Sequence, residues 1–260
     1  MTRVLAPAIA LAAIVALAGC ATKAGSQPDA SAPTDAAAAT VTVFAAASLT
    51  EAFDELAERF EAEHPLVEVV LNSGGSAALA QQIVEGAPAD VFASAAQPPM
   101  QTVIDAGLAR DAVVFATNTL ELVVPAGNPG GVTGLDDLAR PELRVALCDV
   151  TVPCGAASEA LLARQGVAAS ADTLESDVKA VLTKVVLGEV DAALVYRTDV
   201  IAAGGAVEGI EVPGAASVVN RYPIAAMTDA ADPDVAADFV SFVTGSDGRA
   251  VLATAGFGAP

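Results

Sequence analysis

From Val41 onward, short runs dense in Val, Leu, Ile and Phe alternate with longer stretches whose apolar positions recur at helical spacing. The short runs predict strands over Val41–Ala45, Val67–Asn72, Val91–Ala93, Leu120–Pro125, Arg144–Leu147, Ala192–Tyr196 and Tyr222–Met227. In SLTEAFDELAERFEAEH, Leu49, Phe53, Leu56 and Phe60 fall on one helical face and the charges on the other. Ala77–Val84, Ala156–Ala163, Val178–Leu187 and Val235–Val243 have the same helical spacing. Strands alternating with helices predict an α/β fold with mainly parallel strands. Ligands of such sheets bind beyond the carboxyl ends of the strands, so the turns there are the places to look for chemistry.

Before Val41 the pattern changes. Arg3 precedes an apolar run from Val4 to Leu17, too short to span a bilayer, and Leu17-Ala18-Gly19-Cys20 supplies small residues ending in cysteine. Residues 1–20 therefore predict a lipoprotein export signal, with Cys20 the lipidated residue of the processed chain. Residues 21–40 carry no large apolar side chain and cannot bury enough surface to offset their ordering entropy, which predicts a flexible linker. The protein is expected on the extracytoplasmic face of the cell membrane, held by its lipid.

The formal net charge of −20 argues against a nucleic-acid partner. It does not argue against an anionic ligand, because helix N-termini and hydroxyls can bind an anion without cationic side chains. Outside a reducing cytosol, Cys148 and Cys154 in CDVTVPC are a natural disulfide pair. With His64 as the one histidine and no CxxC motif, neither a metal centre nor a cofactor is implied.

Five turns could face a ligand. FAAASLTEAF contains Ser48-x-x-Glu51, which has the form of a capping box. In LNSGGSAALAQQI, Gly74 and Gly75 free the backbone for close approach before a helix opens near Ser76. TVPCGAASEALL is a third turn into a helix, and in ESDVKAVL either Ser176 or Asp177 could cap a helix starting at Val178. ALVYRTD ends an apolar strand on Tyr196, which taken alone fits a core residue as well as a ligand contact. Together the turns describe a cleft of helix N-termini and hydroxyls, suited to a fully ionised oxyanion. A site made only of donors would leave the hydrogen of a protonated anion without an acceptor.

FAAASLTEAF, LAQQIVEGAPADVFASA, TVPCG and ALVYRTD occur in the order found in the periplasmic molybdate-binding proteins of ABC importers, and the chain resembles that family over essentially all of Val41–Pro260. The resemblance implies a type II periplasmic-binding-protein fold: two α/β lobes joined by two crossing strands near Thr119–Pro125 and Tyr222–Met227. One lobe would comprise residues 41–119 and 223–260, and the other 120–222. It further implies a molybdate or tungstate ligand held by the hydroxyls of Ser48, Ser76 and Tyr196 and the backbone amides of Cys154 and Val178. Where family members often carry a run of serines this chain has Ser73-Gly74-Gly75-Ser76, so Ser73 is the alternative donor. The implied partner is an ABC permease, and the implied state is a monomer.

Two other readings have residues to rest on. A receptor for sulfate or a small carboxylate could use Arg144, Arg197 or Arg221, since a carboxylate favours a bidentate arginine. A secreted hydrolase would need a base beside Ser48, and the sequence offers only His64 next to Pro65, with no G-x-S-x-G elbow.

Overall fold

The computed structural model describes residues 39–260. The export signal, Cys20 and nearly all of the linker lie outside the described residues. Ala39 and Thr40, assigned to the linker by composition, already belong to the first strand.

In chain order the elements are β1 Ala39–Ala46, α1 Thr50–Glu63, β2 Val67–Gly74, α2 Ser76–Val84, β3 Val91–Ala93, α3 Gln97–Asp105, β4 Val113–Pro125, β5 Val145–Cys148, α4 Pro153–Gln165, β6 Thr173–Glu175, α5 Val178–Val186, β7 Ala192–Tyr196, α6 Arg197–Ala203, β8 Val207–Ile210, β9 Val219–Ala226, α7 Pro233–Thr244 and α8 Ser246–Thr254. Every strand and helix predicted from periodicity is present, most within a few residues of its expected ends. Sequence reading missed β6, β8, α3, α6 and α8. The two strands are short and expose residues such as Leu174 and Glu208, so neither shows a buried apolar run. The helix α3 opens on Gln97-Pro98-Pro99, which reads as a turn until Pro is recognised at the first helical positions.

The strands hydrogen-bond in the order β2-β1-β3-β9-β4-β7-β5-β6, with β8 also on β4. Pairing is parallel for β1 with β2 and β3, and for β5 with β6 and β7. It is antiparallel wherever β4 or β9 takes part, so the expectation of mainly parallel strands holds within each half and not at the junction. The first part of β4, Val113–Thr119, pairs with β9; its second part, from Leu120, pairs with β7 and β8. One long strand thus passes from one sheet into the other, and β9 returns beside it.

Alternation along the strands explains the cores. Val41, Val43 and Ala45, with Val91, Ala93, Tyr222 and Ile224, face Phe53, Leu56, Phe60, Phe239 and Val251 of α1, α7 and α8. Phe44, Phe92 and Ala225 point the other way, onto Leu79, Ile83, Met100 and Val103 of α2 and α3. A separate core of residues between Leu120 and Val212 fills the other half. Each half is a sheet layered between helices, and β4 and β9 link them.

The expected disulfide is present: Cys148 at the end of β5 is bonded to Cys154 in the first turn of α4, with a Cα–Cα distance of 5.7 Å. Gly155 follows because a Cβ there would overlap the backbone carbonyl of Asp149. Replacing both cysteines by serine is expected to lower the unfolding free energy by roughly 2 kcal/mol on the chain-entropy model of a short closed loop. Urea unfolding checks this, and an unchanged midpoint would show that the bridge adds no restraint.

Candidate functional site

Five helix starts converge where the two halves meet. Ser48 lies in a short 3-10 turn (Ala47–Leu49) between β1 and α1, and Ser76 is the first residue of α2. Cys154 is in the first turn of α4, Val178 opens α5, and Tyr196 is the last residue of β7 and the cap of α6. All five line a single cavity of about 20 Å³, together with Ala46, Ala47, Gly74, Gly75, Ala95, Val152, Pro153, Ser176 and Asp177. A cavity of that size suits one compact ion or a water or two, not a sugar or a peptide. All five predicted site residues are therefore brought together. Ser73, the alternative to Ser76, is exposed and is not part of the lining.

The cavity offers donors. Ser48 is 4% exposed, Ser76 1% and Tyr196 1%. Burial pushes the Tyr196 phenol well above its ordinary value, so it stays protonated. The amides of Cys154 and Val178 fall in first helical turns, where N–H groups have no acceptor within the helix. Asp177, the one acidic residue of the lining, is occupied: its carboxylate accepts from the Ala180 amide at 2.9 Å as the cap of α5. That decides between the two cap candidates for α5 in favour of Asp177.

The capping box expected at Ser48 and Glu51 does not form. The helix α1 has no side-chain cap; Ser48 Oγ instead lies 2.9 Å from Tyr222 Oη. Glu51 reaches across to the other half, where its carboxylate accepts from Lys179 Nζ at 2.7 and 2.8 Å. Lys179 also faces Asp199 Oδ1 at 3.2 Å. Desolvation raises the fully buried Asp199 to about 6, opposed by Lys179. Burial would lower Lys179, but Asp199 and Glu51 outweigh it and its net shift is upward. The halves also touch at Gly75, where a Cβ would stand 2.5 Å from the Ser176 carbonyl oxygen.

The residues needed by the other readings lie elsewhere. Arg144 pairs with Asp191 at 2.8 Å on the surface, Arg197 lines a different cavity with Glu121 and Glu211, and Arg221 is exposed. His64 stacks on Phe60 at the end of α1, with ring centroids 4.2 Å apart, and is not in the lining. Sequence reading missed Asn118, Asn220 and Tyr222 behind the cavity wall, and Lys179 at its edge. An asparagine inside the otherwise strand-forming FATNTLELVV was the one signal available, since a buried amide needs dedicated partners.

Two α/β halves joined by crossing strands, with a small donor-lined cavity between them, are the architecture of a solute-binding protein. The chain belongs to the bacterial extracellular solute-binding protein family, whose model matches residues 41–258. Its place is accordingly outside the cytoplasm. It is 42% identical over 221 residues to the molybdate-binding protein ModA of Mycobacterium tuberculosis, covering 85% of each chain. It is 30% identical to the putative ABC transporter substrate-binding lipoprotein YvgL of Bacillus subtilis, covering 84% of this chain and 85% of that one. The periplasmic molybdate-binding protein of Azotobacter vinelandii matches the fold with a TM-score of 0.74 at 23% identity, over 85% of this chain and 99% of that one. The fold is thus that of the type II periplasmic binding proteins, as the resemblance implied.

Because the folded value of Asp199 lies above its ordinary value of 3.8, its protonation favours the folded state. The contribution is complete below about pH 4 and is lost as pH rises through about 6. Asp199→Asn is expected to flatten the pH dependence of unfolding free energy across that window, measured by urea unfolding at several pH values; an unchanged slope would contradict the burial of a titrating carboxyl.

Proposed function

We propose that the protein captures molybdate, with tungstate as an equivalent ligand, and delivers it to the permease of an ABC importer. The observation that carries this reading is the cavity itself: Ser48, Ser76 and Tyr196 hydroxyls and two first-turn amides border one ion-sized space, with no arginine or lysine among the lining residues. A dianion with no proton of its own can accept from every one of these groups. The names of the relatives support the choice of ion, and molybdate and tungstate are alike in shape and charge.

In this reading Ser48 and Ser76 bind from the lobe of residues 41–119 and 223–260, and Cys154, Val178 and Tyr196 from the lobe of residues 120–222. An ion contacted from both sides stabilises the closed arrangement over an open one, because only the former satisfies it fully. The permease then has a distinct shape to recognise. The chain works as a monomer, tethered through lipid on Cys20 by the linker that precedes β1; the lipoprotein relative supports that anchoring.

Calorimetry on the fragment from residue 39 should show tight binding of molybdate and tungstate, with sulfate and phosphate far weaker and measurable by competition. Ser48→Ala and Tyr196→Phe should each weaken molybdate binding by roughly 10- to 100-fold, the loss of one hydrogen bond to a charged group. Sulfate binding as tightly as molybdate, or a Tyr196→Phe variant with unaltered affinity, would overturn the proposal.

A further inference from the structure

Behind the cavity wall each hydroxyl is held by a donor of its own. The Ala95 amide donates to Ser76 Oγ at 3.0 Å. Asn220 Nδ2 lies 3.1 Å from the Ala95 carbonyl and 2.9 Å from Tyr196 Oη. A carbonyl only accepts, so the group facing it is the amide NH2, whose second proton goes to the tyrosine oxygen. Asn118 is oriented the same way: its Oδ1 accepts from the Thr119 amide at 3.0 Å, which turns Nδ2 toward Thr198 Oγ1 at 2.9 Å and Tyr222 Oη at 3.4 Å. Tyr222 accepts from Asn118 and has its own proton for Ser48, 2.9 Å away. Ser76 and Tyr196 thus each take a hydrogen bond from a fixed donor behind; with the Tyr222 proton directed to Ser48, all three have their own proton for the cavity.

We infer that Asn118, Asn220 and Tyr222 are positioning residues that fix the polarity of the site, holding Ser48 and Tyr196 as donors so that it selects anions carrying no proton. This rests on reading the cavity as an oxyanion site. A hydroxyl without a rear donor can turn and accept the hydrogen of a singly protonated oxyanion such as hydrogen phosphate. With the rear donor in place one acceptor position is filled, and turning the hydroxyl's own proton back would set two protons against each other, so the orientation that presents the proton to the cavity is favoured over the one that presents a lone pair. Asn118, Asn220 and Tyr222 are 4%, 8% and 0% exposed, so water does not replace them. Asn118 and Asn220 are also direct partners in the β4–β9 ladder. The amides that set polarity therefore sit on the strands joining the lobes, and their bonds run from Ala95 and Ser48 on one side to Tyr196 and Thr198 on the other.

Two double-mutant cycles test this, Asn220→Ala with Tyr196→Phe and Tyr222→Phe with Ser48→Ala, reading Kd for molybdate by calorimetry and for phosphate by competition. Asn220→Ala is expected to weaken molybdate binding about 10-fold, the scale of one hydrogen bond to a charged group, while phosphate binding is unchanged or tighter. That loss should vanish when Tyr196→Phe is already present, because the amide acts only through the hydroxyl. The second cycle should behave in the same way at Ser48, and it decides the matter if Asn220→Ala does not fold. Additive losses, or equal losses for both anions, would overturn the inference and show that these residues only support the structure. Should the wild type prefer sulfate, the molybdate assignment falls, and the same cycles run with sulfate still decide whether polarity is fixed from behind.

Discussion

An anion leaves water only if donors replace the hydrogen bonds of its hydration shell, and here they must do so inside a protein of net charge −20. Positive side chains are the obvious means, and none lines the cavity. In the proposed reading helix N-termini meet the need instead, because the first turns of α4 and α5 present amides that the helices cannot satisfy themselves. Hydroxyls at the starts of α1, α2 and α6 complete the set. Much of the rest of the architecture can be read as the means of bringing five helix starts to one point.

Parallel strands followed by helices place those starts at the same sheet edge in each half, and β4 and β9 hold the two edges face to face. The approach is close enough to need Gly75 beside the Ser176 carbonyl, and the disulfide fixes the turn from which the Cys154 amide points. Lys179, between Glu51 and Asp199, adds an ionic link across the same junction at the edge of the cavity. The groups proposed to bind, those proposed to orient them and those that link the halves are therefore contiguous.

The sequence disclosed the site better than it disclosed the topology. Turns such as LNSGGSAALA and TVPCGAAS announce a helix N-terminus through Gly, Ser and Pro, and Ser48, Ser76, Cys154 and Val178 lie in turns that carry such residues, whereas Tyr196 ends an apolar strand. The capping box at Ser48 misled because a local pattern competed with a long-range partner: Tyr222, 174 residues away, takes the serine that the helix would have used. The antiparallel junction was hidden for a related reason. Val113–Thr119 has a register shift between Val114 and Ala116, which breaks the two-residue alternation and hides the extension of the strand back from Leu120, and only tertiary pairing shows that β4 serves two sheets. Asn118, Asn220 and Tyr222 could not be assigned roles from spacing, since what they do depends on which atoms face them across that junction.

Binding of a fully ionised oxyanion by neutral, fixed donors, as proposed, takes up and releases no protons. The most direct test of this claim is the number of protons exchanged on molybdate binding, from calorimetry in buffers of different ionisation enthalpy between about pH 7 and 8.5, above the value to which Asp199 is raised. No net exchange and a constant affinity are expected across that range. Uptake of close to one proton per ion bound would mean that the site or its ligand carries a titrating proton, and would contradict the claim.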